Sequence, residues 1–97
     1  MVNVTIGKNG IKLEGHAGYH RNGNDIVCSA ISTLTCNLIN SLQYFTKSKI
    51  KYTAKSGDVC LKWDKLENDG KLLVESWKLG LKAVKENYPE SINLTEE

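Results

Sequence analysis

A two-layer α+β sandwich is the fold this sequence predicts, on three observations. Two pairs of short segments alternate apolar and polar residues, each pair joined by turn chemistry. Each pair is followed by a stretch whose apolar residues recur every three or four positions. The chain has 97 residues, enough for one domain and too few for a second core. The order ββαββα then predicts a four-stranded antiparallel sheet with two helices on one face, over residues 1–97.

The first hairpin is read from Val2, Val4 and Ile6, then Ile11 and Leu13. Asn9-Gly10 between them is a strong turn signal, because both residues accept positive φ. The amino end lacks the basic start and unbroken apolar run of an export signal, so it is expected to be a strand. Residues 15–24, "GHAGYHRNGN", hold three glycines and two asparagines and read as a mobile loop. Asp25 then occupies the position of an N-cap. From there Val27, Ile31, Leu34, Leu38, Leu42 and Phe45 form one apolar stripe on a helix. Residues 26–46 carry no charge, so the opposite face is expected to meet a partner subunit. Ile50, Tyr52 and Ala54, then Val59, Leu61 and Trp63, give the second hairpin, turning around Gly57. Leu73, Trp77, Leu81, Val84 and Tyr88 mark the second helix, which Pro89 ends. Residues 90–97 read as a polar tail.

Composition narrows the function. Thirteen basic and eleven acidic residues leave a net charge of +2, too small to argue for nucleic acid or a membrane surface. No run comes near the roughly 20 apolar residues of a membrane span. Three cysteines, an odd number with no CxxC, read as reduced thiols in the cytoplasm.

The chemistry gathers where the loop meets the helix. With Asp25 as N-cap, Cys28 falls in the first turn, where unpaired amides and the macrodipole stabilise a thiolate. His16 ends the second strand, and the loop can return it to Cys28 as proton acceptor and donor. The amides of Cys28 and Ser29 are candidate oxyanion donors. Ser32 lies one turn further along the same helix face. Residue types alone also allow blander readings. Cys28 fits a small buried position, His16 an exposed loop and Ser32 a bond to a backbone carbonyl. Cys36, two turns on, is too deep to be a nucleophile if the helix buries that end, and Cys60 reads as structural. His16 and His20 form HxxxH, but Gly18 lies between them and no fourth ligand is evident, so no metal is expected.

The longer string is more specific. "GHAGY", a short loop, then Gly23 to Leu34, "GNDIVCSAISTL", resembles the signature of the ribosomal-processing cysteine protease family, Prp. The element order and chain length agree over essentially the whole chain. Ser29 departs from the pattern, where alanine is more usual. The resemblance implies Cys28 as nucleophile and His16 as base, with Asp25 and Ser32 in support. It implies a gating loop with Gly15, Gly18, Tyr19 and Gly23, and no cofactor. The implied substrate is the N-terminal extension of large-subunit ribosomal protein twenty-seven, which carries an aromatic pair, so an apolar cleft is expected beside the thiol. The implied assembly is a homodimer, without membrane or direct nucleic-acid contact. The alternative is a non-catalytic ribosome-associated module that binds RNA or protein. Against RNA, the strands lack paired aromatics at stacking positions.

Overall fold

A computed structural model describes residues 1–15, 22–55 and 57–97, with backbone alone at 22–25. Strand β1 (Val2–Gly7) turns into β2 (Gly10–Glu14). Helix α1 (Asn22–Phe45) precedes β3 (Ile50–Lys55) and β4 (Asp58–Trp63). Helix α2 (Asn68–Asn87) leads to β5 (Ile92–Glu96).

The fold is α+β, but its sheet has five strands, in the order β3-β4-β2-β1-β5. Residues expected as a polar tail form β5, which pairs parallel with β1, so the sheet is mixed. Ile92 is buried, and Lys78 of α2 bonds Glu96 across 2.7 Å. Backbone bonds from Val2 N to Ser91 O (3.0 Å) and Glu97 N to Ile6 O (2.8 Å) close both ends of the pairing.

The core lies between the helices and one sheet face. Val4, Leu13, Leu61 and Ile92 meet Val27, Ile31, Leu38 and Leu42 of α1 and Trp77 and Leu81 of α2. The opposite sheet face carries Thr5, Lys12, Lys62 and other exposed or half-exposed residues, as period-two alternation requires. The helices share a buried bond: Trp77 Nε1 donates to Thr35 Oγ1 (3.1 Å), which itself donates to the Ile31 carbonyl (2.8 Å).

Four local expectations change. The first turn is Lys8-Asn9, and Gly10 is already strand. Gly10 is needed there because a Cβ would meet Leu61 O at 2.6 Å. Helix α1 starts at Asn22, so Asp25 lies inside it and is not its N-cap, and the expected loop loses residues 22–24 to the helix. Phe45 is 69% exposed, because the stripe has rotated off the core by the last turn. Finally, Ile26–Phe45 is long and apolar enough to cross a membrane by length and composition. Its apolar side is instead the core described above, which passes the same test.

Candidate active site

Cys28 sits on α1 between buried Val27 and Ile31 and is half-buried against the core. Ser32, one turn later, is exposed. Both line a cavity of about 190 Å³ at the end of the sheet, floored by Val2, Leu13 and Val59. Its rim is the β3–β4 turn, Lys55, Gly57 and Asp58, together with Gly15.

Gly15 is a fixed point of this rim. Its φ is +97, a region that L side chains rarely adopt. A Cβ there would also meet Met1 O at 2.7 Å. Its N–H donates to Gly57 O at 2.9 Å, tying the end of β2 to the turn of the second hairpin. Gly57 has φ +78, again a region that L side chains rarely adopt. The chain therefore leaves β2 toward His16 from a defined position beside the Cys28 cavity.

Among the predicted site residues, the fold brings together Cys28, Ser32 and Gly15. His16, Gly18 and Tyr19 lie outside the described residues, as does the side chain of Asp25, and the His16–Cys28 approach with them. Gly23 belongs to the first turn of α1 by its backbone. One inference from sequence is corrected. Because α1 begins at Asn22, Cys28 lies in its second turn. The amides of Cys28 and Ser29 belong to the helix's own bonding and are not spare oxyanion donors; the amides without an intrahelical partner are those of the first turn, from Asn22 onward. Cys36 is exposed, so the helix does not bury it. Lys55, Gly57 and Asp58 had no signal as site residues. "KSGD" carries turn chemistry, and only tertiary packing sets that turn beside Gly15.

A wider concavity, about 710 Å³, lies at the other end of the sheet, around Trp63, Lys71 and Glu96. Its described walls hold no cysteine or histidine, whereas the smaller cavity holds Cys28. Among the described residues no group of three or more potential ligands could hold a metal ion.

Comparison with known proteins gives this cavity its context. The family model described as cysteine protease Prp matches residues 1–93. The chain belongs to the Prp cysteine protease family. It is 28% identical to the ribosomal processing cysteine protease Prp of Mycoplasma genitalium, over all of this chain and 97% of that one. It is 26% identical to the Staphylococcus aureus protein of the same name, covering 96% of this chain and 94% of that one. The fold matches the crystal structure of S. aureus Prp with a covalently linked product peptide, at TM-score 0.89 and 23% identity over all of both chains. It also matches SMU.848 from Streptococcus mutans, at TM-score 0.77 and 28% identity over 98% of this chain and 90% of that one. As a Prp protein the chain is a cysteine protease, and the reading as a non-catalytic module is set aside.

Proposed function

We propose that this Prp protein removes the N-terminal extension of large-subunit ribosomal protein twenty-seven, with Cys28 as nucleophile and His16 as base. The observation that carries the proposal is the cavity shared by Cys28, Ser32 and Gly15, the residue that delivers the chain to His16. Two relatives named for ribosomal processing align over nearly the whole chain and support a ribosomal substrate.

In this reading Cys28 Sγ, its proton held by His16, attacks the scissile carbonyl carbon. The carbon–nitrogen bond breaks, the imidazolium protonates the departing amine, and a thioester remains. His16 then takes a proton from water, the hydroxide oxygen bonds the thioester carbon, and the carboxylic product leaves Cys28. Ser32 stands at the cavity mouth to bond substrate or thiol, and Asp25 supports the loop. The gate is the segment from Gly15 through Gly18, Tyr19 and Gly23. The protein works in the cytoplasm as a homodimer. The outer face of α1 supports the pairing, since it is uncharged and exposes Ile26 (54%), Tyr44 (82%) and Phe45 (69%).

The test is mass spectrometry of the extension-bearing ribosomal protein after incubation with wild type, Cys28→Ala and His16→Ala. A single cut by wild type and none by either variant is expected. Cleavage by Cys28→Ala at the wild-type rate overturns the assignment.

A further inference from the structure

We infer that the substrate peptide binds as an added strand along the free edge of β3, with an apolar side chain seated on Tyr52 and Ala54. The inference rests on the protease reading above.

Strand β3 is bonded to β4 alone and stands at the sheet's edge. Ile50, Tyr52 and Ala54 pair with Trp63, Leu61 and Val59, so they lie on the side of the sheet that faces the helices. Their β4 partners are buried or half-buried there. On β3 itself Ile50 is half-buried against the core, but every residue from Lys51 to Lys55 is exposed, and Tyr52 keeps 47% of its surface. The helical layer thus ends over β4, and β3 projects beyond it as a ledge. Its outer backbone edge pairs with no strand among the described residues.

This ledge leads to the thiol. Lys55, the last residue of β3, lines the Cys28 cavity, and so does Val59, the partner of Ala54. At about 3.3 Å per residue, Tyr52 lies about 10 Å back from that rim. From that rim, an extended peptide with its scissile bond in the Cys28 cavity needs roughly three further residues to reach Tyr52. Backbone bonds to an edge strand supply affinity, and side chains at alternate positions supply specificity. A second copy is a poor occupant. Antiparallel self-pairing centred on Thr53 would set Lys51 against the copy's Lys55, and like charges directly opposite destabilise a pair. A peptide without lysine at those positions meets no such repulsion.

Two measurements test this. The first is amide NMR of full-length Cys28→Ala titrated with a synthetic peptide covering the ribosomal extension and its cut site. Saturable shifts concentrated in residues 50–55 are expected. The absence of shifts in β3, or protection of β3 that depends on protein concentration without peptide, overturns the inference whatever the cleavage assay reads. The second is cleavage kinetics of wild type and Tyr52→Ala on that peptide and on copies N-methylated at single, successive residues. Tyr52→Ala is expected to lower kcat/KM about tenfold, mostly through KM, with an unchanged Cys28 alkylation rate. N-methylation is expected to raise KM at alternate residues only. Equal effects at successive residues overturn the inference while leaving the protease reading standing. A wild type that binds at β3 but cuts nothing overturns the protease reading and keeps the edge site.

Discussion

Gly15 and Cys28 carry the most consequence per atom. At Gly15 both backbone angle and space exclude a side chain. Gly15→Ala is therefore expected to cost about 1–3 kcal/mol, measured by urea denaturation, because the strain and the Met1 contact add. Its cleavage rate should fall further than its stability, since His16 follows directly. For the thiols, exposure and reactivity are set against each other. Cys36 is exposed, while Cys28 and Cys60 are half-buried. Accessibility alone would make Cys36 the fastest to alkylate. If His16 activates Cys28, peptide mapping after brief iodoacetamide treatment will find Cys28 labelled first at neutral pH, and His16→Ala will restore the order of exposure.

The elements are held by a few contacts that can be tested one at a time. Thr35 is polar yet buried on α1, and it is tolerated because Trp77 donates to it from α2 while it donates to its own helix. Trp77→Phe keeps most of the ring's burial and removes that donor. A loss of about 1–2 kcal/mol in thermal or urea unfolding is expected, with no change in cleavage at permissive temperature. Leu42, wholly buried where α1 crosses the sheet, should cost about 2–5 kcal/mol on truncation to alanine. Strand β5 depends on a remote partner, β1, and on Lys78, which bonds both Glu96 (2.7 Å) and Glu75 (3.3 Å). Lys78→Ala should leave the core intact and speed hydrogen exchange at residues 92–96 ahead of the rest of the sheet.

For the whole molecule, pH acts through that same clasp. The hydrogen bond from Lys78 holds the Glu96 carboxyl below its ordinary 4.5. The bond to Glu96, against the opposing effect of burial, holds the Lys78 ammonium above its ordinary 10.5. A lowered carboxyl stabilises the fold above 4.5, and that part is lost as pH falls through the lowered value. A raised ammonium stabilises the fold below 10.5, and that part is lost as pH rises through the raised value. Protection of β5, the exchange rate corrected for its intrinsic pH dependence, should be greatest between those limits and should fall outside them in wild type but not in Glu96→Gln. The second property of the whole is assembly. If α1 pairs through its outer face, Phe45→Glu will convert a dimer to a monomer in light scattering while the circular dichroism spectrum stays unchanged.

What sequence determined by itself was whatever depends on neighbours within a few positions. Alternation placed β1 to β4, three-and-four spacing placed both helices, and Pro89 followed the end of α2, because these signals are local backbone and burial preferences. The string from Gly15 to Leu34 was specific enough to name the family. Tertiary structure alone decided the rest. Strand β5 has few apolar residues, and its partner is a strand at the other end of the chain, so nothing local marks it. The start of α1 moved to Asn22 across a glycine and two asparagines, residues whose own propensities argue against a helix. The rim of the thiol cavity arose because the Gly15 amide reaches Gly57 in another hairpin, a contact between segments that neither one encodes. Local physics chose the pieces, and burial of one shared apolar face chose which pieces would meet.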